Sequence, residues 1–348
     1  MIDGTCAETR LESRAVETRV LGRTGRRVGV LGLGCWQLGG DWGQVDDAQA
    51  LDVLHAAVDA GVTFLDTADV YGDGRSESLI GRFLRERGAT GADADALVVA
   101  TKAGRRADRH VPQAYTAANL RAWTDRSRRN LGVETLDLVQ LHCPPSPVYS
   151  TDAVFDALDA LVADGVTKAY GVSVETVDEA LAAIGRPHLA TVQIILNAFR
   201  LKPLDRVLPA ARSAGVGIIA RVPLASGLLS GTYDADTTFG PDDHRSYNRH
   251  GEAFDVGETF SGVPFEIGVQ AAKEIATLAP GGVPTAAFAL RWIVDQPGVS
   301  VVIPGARTPD QARANAAAAD VAPLTRNQQD GVRRVYDERI REYVGDRW

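Results

Sequence analysis

From residue 28 onward, short apolar runs alternate with longer stretches in which apolar residues recur every three or four positions. The runs are 28–33, 62–65, 97–101, 138–141, 169–172, 192–195, 217–220 and 299–303. They are too short for buried helices and rich in Val, Ile and Leu, as strands covered on both faces must be. Between them the spacing predicts helices over 46–60, 76–87, 114–131, 151–163, 176–184, 205–214 and 285–296. Several of these end in a glycine directly before the next strand: Gly61, Gly165 and Gly215. Eight strand-helix alternations predict a parallel sheet. Eight units can close into a (β/α)8 TIM barrel; an open, doubly wound sheet is the alternative.

Two stretches depart from this rhythm. Residues 226–264 form a long polar connection after the seventh run, and a loop of that length in a compact domain usually serves function or is disordered. After the eighth run come two further helices, over 308–319 and 327–343, outside the barrel repeat. No linker marks a second domain, so the expectation is one domain over 19–348 preceded by a flexible tail over 1–18.

Composition narrows the function. With 45% apolar and 24% charged residues, the 348-residue chain can bury a large core and is not disordered as a whole. Its net charge of −8 argues against a general binder of nucleic acid or anionic membrane. An anionic cofactor would have to be held by local basic groups and backbone N–H donors. Cys6, Cys35 and Cys143 are odd in number and widely spaced, which reads as free thiols in a reducing compartment. No apolar run approaches the ~20 residues of a membrane span. The first ~20 residues lack the apolar core of a signal peptide. The expectation is therefore a cytoplasmic protein. Of its 37 basic residues 33 are arginine, so each of the four lysines stands out.

Several common motifs fail. Gly32 and Gly34 are followed by Gln37 where a dinucleotide fingerprint needs its third glycine. Residues 215–220 match the spacing, but the glycines lead into a strand instead of out of one. The six histidines show no metal-ligand spacing, and no metal is expected.

The informative residues stand where apolar runs finish, because the C-terminal strand ends of a barrel carry its active site. The second run leads into Asp66, with Tyr71 five residues on; the third leads into Lys102; the fourth ends in His142. Each has a plain structural reading: a helix cap or turn for Asp66, a hydrogen-bonded core residue for His142, packing for Tyr71. Lys102 resists one, since a buried ammonium costs several kcal/mol unless paired, and Asp66 is the nearest partner. Together the four form a general-acid site for a carbonyl. An ammonium beside a phenol stabilises the phenolate and lowers its pKa. The carboxylate fixes the ammonium, and the histidine orients the substrate oxygen.

These segments, from Leu65–Gly72 through Ser76–Glu77, Ala100–Lys102 and Gln140–His142, resemble the aldo-keto reductase superfamily. The resemblance continues in order through Ser173, Gln193 with Asn197, the stretch 223–231, and 303–307 with Gln311 and Asn315, covering roughly 18–320. It implies a (β/α)8 barrel that binds NADP(H) across its C-terminal face. It also implies Tyr71 as proton donor, tuned by Lys102 and Asp66, with His142 orienting the carbonyl. Ser173 and Gln193 match positions that hold the nicotinamide carboxamide; Gly34, Trp36 and Arg221 fall at the same end. Pro223, Leu224, Ser226, Gly227, Leu229 and Gly231 match the pyrophosphate segment. Pro304, Gly305, Ala306, Arg307, Gln311 and Asn315 match the adenosine end, where the planar fork of Arg307 suits a ribose 2′-phosphate.

Three positions depart from the pattern. Val174 follows Ser173 where Asn is frequent. Arg221 replaces a Tyr that stacks on nicotinamide in many members, adding positive charge beside a ring that becomes cationic on oxidation. Gly305 replaces a Lys that binds NADP in some members. The implied activity is NADPH-dependent reduction of a small aldehyde or ketone. A sugar or polyol dehydrogenase working oxidatively is the alternative, and a cofactor-sensing regulatory subunit is an alternative of another class. Trp36 and Trp42 read either as an apolar wall of the substrate site or as packing, and Trp348 as disordered. Substrate choice is expected to lie with loops 103–113, 143–150 and 226–264 and the C-terminal tail.

Overall fold

The computed structural model describes residues 16–40, 45–88 and 96–348. Two short strands open the chain, β1 (Thr18–Val20) and β2 (Arg27–Gly29), paired antiparallel. Eight parallel strands follow: β3 (Leu33–Gly34), β4 (Phe64–Asp66), β5 (Val98–Ala103), β6 (Leu138–His142), β7 (Tyr170–Ser173), β8 (Thr191–Ile195), β9 (Gly217–Arg221) and β10 (Val299–Val302). They pair in sequence order. The edge closes through parallel bridges from Leu31 to Val302 and from Gly34 to Gly305. The (β/α)8 architecture predicted from the alternation is therefore present, in place of the open sheet.

Helices between the strands start and stop on local chemistry. Asp46 and Thr116 cap their helices by accepting from the amides of Gln49 and Asn119. Thr176 and Glu179 form a reciprocal capping box. Gly132 and Gly215 end their helices at φ 70° and 67°, a left-handed turn that glycine adopts without strain. The core has two shells. The outer one lies between strands and helices. The inner one fills the barrel with Phe64, Val98, Ala100, Leu138, Ile219 and Val301.

The first apolar run does not form one strand. Its beginning pairs with β1 as a hairpin, and Leu21 and Val28 from that hairpin join the inner shell. The hairpin plugs the N-terminal end of the barrel. At its turn Gly22 has φ 50°, and a Cβ there would stand 2.1 Å from the Ala190 carbonyl oxygen and 2.2 Å from the Gly217 amide nitrogen. Three glycines (Gly29, Gly32, Gly34) leave little of that run to pair as an ordinary strand; a Cβ on Gly32 would meet the Phe64 carbonyl at 2.8 Å.

Of the tail expected over 1–18, residues 1–15 lie outside the described residues, as do Cys6 and Trp42. The remainder is tied down: Glu17 pairs with Arg19 and Arg291, and Thr18 begins β1. The connection over 226–264 is ordered into short turns at Ala225–Ser230, His244–Tyr247, Val256–Glu258 and Phe260–Gly262. A helix over Phe265–Ala276 follows, which the pattern had not indicated. Its mid-helix Gly268 masks the helical signal; a Cβ there would lie 2.5 Å from Leu228, so the glycine admits that side chain. The two C-terminal helices appear as Pro309–Ala317 and Arg326–Val335, the latter continuing through a π-helical turn over Tyr336–Ile340. Trp348 is packed, not disordered: its Nε1 donates to Asp255 at 2.9 Å and the Arg200 guanidinium lies 3.6 Å from its ring centre. No helix among the described residues is long and apolar enough to cross a membrane.

If the hairpin is the barrel's plug, Leu21→Ala should lower unfolding stability by about 2–5 kcal/mol in chemical denaturation. A loss below ~1 kcal/mol would mean that the hairpin merely rests against the barrel.

Candidate active site

The C-terminal ends of the strands open into a cavity of about 1190 Å³. That exceeds the roughly 300–1,000 Å³ of an ordinary small-molecule site. At its centre the four strand-end groups converge. Lys102, 1% exposed on β5, donates from Nζ to Asp66 Oδ2 on β4 at 2.5 Å, to the Thr67 carbonyl at 3.0 Å and to Tyr71 Oη at 3.3 Å. Parallel pairing of β4 with β5 sets Asp66 beside Ala100 and brings the two side chains together inside the barrel mouth. Tyr71 reaches back over this pair because Gly72 turns the chain at φ 59°; Gly39 packs beneath it, where a Cβ would meet the Tyr71 backbone at 2.6 Å. The His142 ring on β6 stands edge-on to Tyr71, with centres 5.8 Å apart. Its buried Nδ1 has no hydrogen-bond partner within the protein.

Charge at this centre follows from burial and pairing. Burial opposes the Lys102 ammonium, but Asp66 and Tyr71 more than offset it, and its pKa is raised. The same burial raises the Tyr71 phenol above its ordinary 10, with Lys102 opposing. The lowering expected from the ammonium is thus present but outweighed, and the phenol holds its proton at neutral pH. His142 is driven well below 6.5 by burial and by the nearby cations Arg105, Lys102 and Arg221, so its imidazole is neutral. Behind the turn, Asp69 is fully buried with no partner for either carboxylate oxygen, and burial together with Glu77 lifts its pKa to about 7.

The structure brings most of the other sequence-derived positions to the same cavity. Gly34, Trp36, Ser173, Gln193 and Arg221 line its inner end. Gln193 turns its Nε2 toward Asp66 Oδ1 at 2.8 Å, and Ser173 Oγ accepts from Cys143 Sγ at 3.4 Å. Pro223, Leu224, Ser226 and Gly227 line the middle; a Cβ on Gly227 would strike the Tyr233 hydroxyl at 2.2 Å. Leu229 instead lies in the core, and Gly231 turns the chain against Thr285. Pro304, Gly305, Ala306, Arg307, Gln311 and Asn315 line the far end. There Asn315 donates to the Gly305 carbonyl at 3.1 Å, and the Gln311 side chain accepts from the Arg307 amide at 2.8 Å. Asn197 faces away, donating to the Val222 carbonyl and to Ser261, both at 2.8 Å.

Arg221 differs most from expectation. Its guanidinium is held by Glu175 at 2.8 Å and Glu258 at 2.6 Å, and Glu175 also pairs with Arg105 at 3.2 Å. The positive charge expected beside the cofactor ring is therefore neutralised by two carboxylates. Burial pushes Glu175 up, but Arg221 and Arg105 hold it below the usual range. Burial raises Glu258 despite Arg221. Sequence reading had missed Arg105, Glu175 and Glu258. Glu175 lies two residues past Ser173 at a strand end and could have been found by position; Glu258, alone in a long loop, carries no local signal. Cys143, Glu175 and Glu258 lie close enough to hold a cation, but two guanidiniums already occupy them. Trp36 forms a wall with Phe254, ring centres 5.7 Å apart, and with His244.

Comparison with known proteins agrees with this arrangement. The sequence model described as the aldo/keto reductase family matches residues 30–337. The aldo-keto reductase YhdN of Bacillus subtilis is 28% identical over 332 residues, covering 92% of this chain and 94% of that one. A probable voltage-gated potassium channel β subunit of rice is 31% identical over 87% of this chain and 91% of its own length. Among solved structures, the glycerol dehydrogenase of Gluconobacter oxydans superposes with a TM-score of 0.74 at 31% identity, covering 96% of this chain and 98% of that one. An aldo-keto reductase of Klebsiella pneumoniae in complex with NADPH gives 0.68 at 23%, covering 93% and 96%. The chain belongs to the aldo/keto reductase family.

Proposed function

We propose that this barrel, over residues 19–348, reduces an aldehyde or ketone to the alcohol with NADPH and that Tyr71 is the proton donor. The observation that carries this reading is the buried Lys102, bonded at once to Asp66 and to Tyr71 Oη beside a neutral His142. Two relatives with names pointing the same way support the cofactor: the Klebsiella pneumoniae reductase in complex with NADPH and a second structure from that organism with NADP and acetate. The cavity has the features that a dinucleotide needs. Arg307 Nε is buried with no partner inside the protein, a donor set aside for an anion. Gly305 admits the Gln37 side chain, whose amide nitrogen stands 2.1 Å from where a Cβ would lie, at this end of the cavity.

In this reading Arg307, Gln311 and Asn315 hold the adenosine end, the residues from Pro223 to Gly227 the pyrophosphate, and Ser173 with Gln193 the carboxamide. NADPH, when bound, supplies the hydride that the carbonyl carbon receives. His142, neutral, donates a hydrogen bond to the carbonyl oxygen and fixes its orientation. Tyr71 Oη passes its proton to that oxygen as negative charge develops there. Lys102 then faces a phenolate, and Asp66 keeps the ammonium charged and in place. The name of the Gluconobacter oxydans relative keeps a polyol-oxidising direction as the second reading, in which the same groups run in reverse.

Tyr71→Phe should retain NADPH binding and lose about 10²–10⁴-fold in kcat for a carbonyl substrate. Wild-type turnover in that variant would remove Tyr71 from the mechanism. Reduction needs the protonated phenol, so kcat/KM should stay level through neutral pH and fall only where Tyr71 ionises, above its ordinary 10; alcohol oxidation should rise over the same range. An added limb near pH 6.5 would mean that His142 is charged in the working enzyme. In fluorescence titration, Arg307→Ala should weaken NADPH by about 10–100-fold, the equivalent of a charged hydrogen bond, and NADH much less. Equal weakening of both would deny Arg307 a role in reading the 2′-phosphate.

A further inference from the structure

The turn that carries Tyr71 is fastened from outside the cavity. Directly after Tyr71 the chain runs left-handed through Gly72, Asp73 and Gly74, at φ 59°, 54° and 93°. Glycine takes that region freely, but Asp73 does so at a cost, so the run persists only where its surroundings hold it. On the barrel side the nearest backbone anchor before Tyr71 is the Asp69 amide, which donates to the Lys102 carbonyl at 3.2 Å. On the outer side the helix over Ala117–Leu131 supplies Arg126. Its Nη1 donates to the Asp69 carbonyl at 3.0 Å, and its Nη2 donates to the Asp73 carbonyl at 2.7 Å and to Asp73 Oδ1 at 3.0 Å. Among the described residues no other donor reaches either carbonyl. Gly74 gives the guanidinium room, since a Cβ there would lie 3.2 Å from Arg126 Nη2 and 2.6 Å from Asn130 Nδ2. Arg106 also pairs with Asp73, and Arg106 and Arg126 hold that carboxyl below its usual range, so the contact is charged.

Resting on the reading of Tyr71 as proton donor, we propose that Arg126 is a positioning residue for the reaction: by clasping the carbonyls of Asp69 and Asp73 it sets where Tyr71 Oη stands over Lys102, and so the rate of proton transfer to the substrate oxygen. Arg126 does not line the cavity and touches neither substrate nor cofactor there. Its single planar fork spans the chain from before Tyr71 to after it, a reach that the point charge of a lysine does not have. The group it places has little slack. Tyr71 Oη lies 3.3 Å from Lys102 Nζ, just past the usual range of about 2.7–3.2 Å, so a small shift of the turn breaks that bond. Without the fork both carbonyls turn to water, the left-handed run relaxes, and Tyr71 leaves its place beside the ammonium. The segments assigned to the cofactor from Ser173 onward make no hydrogen bond to residues 69–74 among the described residues, so cofactor binding is spared.

The measurement is a double-mutant cycle on the full-length enzyme with NADPH and 4-nitrobenzaldehyde, an activated aldehyde that keeps slow variants measurable. Arg126→Met should lower kcat by about tenfold or more, since a small misplacement of a reacting group is costly, with the NADPH Kd within about twofold of native. In the Tyr71→Phe background the same substitution should change kcat by less than about twofold, because the group it positions is gone. Arg126→Lys keeps the cation but not the fork, so it should restore only part of the loss; it takes the place of Arg126→Met in the cycle if that variant does not fold. Native kcat in Arg126→Met, or an undiminished loss in the Tyr71→Phe background together with weakened NADPH, overturns the clasp and leaves Tyr71 as donor. Native turnover in Tyr71→Phe, or no reduction of 4-nitrobenzaldehyde by the native enzyme while NADPH binds, overturns the reading beneath it, and this inference with it.

Discussion

The mouth of this barrel is organised around one deeply buried ion pair. Lys102 and Asp66 meet at 2.5 Å, both nearly devoid of exposure, and neither could sit there alone without a penalty of several kcal/mol. The pair needs satisfied neighbours as well as each other. Asp66 Oδ1 accepts from Gln140 at 3.2 Å and Gln193 at 2.8 Å, while Lys102 spends its other donors on Thr67 and Tyr71. Those partners stand on β4, β5, β6 and β8 and on the turn after β4. A single buried carboxylate thus requires four strands to finish at the same height, and the closed barrel is the arrangement in which they do.

Around that centre the tasks divide by element. The strand ends hold groups that must not move, and their rotamers are fixed by the inner core beneath them. The long connection over 226–264 lies over the cavity and is fastened by its own set of bonds: Ser226 to the Glu258 carbonyl, Asn197 to Ser261, Trp348 to Asp255. Its polar sequence thus serves two ends: part of it bonds within the connection, to the barrel and to the C-terminal Trp348, and the stretches around 231–242 and 249–253 are largely exposed. His244, Asn248 and Ser261 are all fully buried within it.

This explains what could be read from the chain. Seven of the eight parallel strands, β4 to β10, were legible because each falls in a nearly pure apolar run set off by helices of clear period. Asp66, Lys102 and His142 were legible because each interrupts the end of such a run, and a charge there must have a reason. The hairpin of β1 and β2 was not, since its pairing partner lies in a polar segment and the glycines of 28–34 blur the run. Nor was the pairing of Arg221 with Glu175 and Glu258: contacts between residues 46 and 37 positions apart leave no trace in local pattern. The sign of the net shift at Tyr71 also escaped, because it is set by how deeply the ring is buried, which only three dimensions reveal.

The four charges at the cavity end have a consequence for how this protein can change. Arg105 follows β5, Glu175 follows β7, and Arg221 and Glu258 belong to β9 and the connection after it, three barrel units in all, yet the four form one chain of ion pairs. Exchange of any one segment for a foreign sequence strands a charge on another. Diversification at this mouth must then proceed by compensated pairs, a carboxylate and a guanidinium lost or swapped together. The aromatic wall opposite, Trp36 with Phe254, carries no ion pair of this kind, so a change there strands no charge.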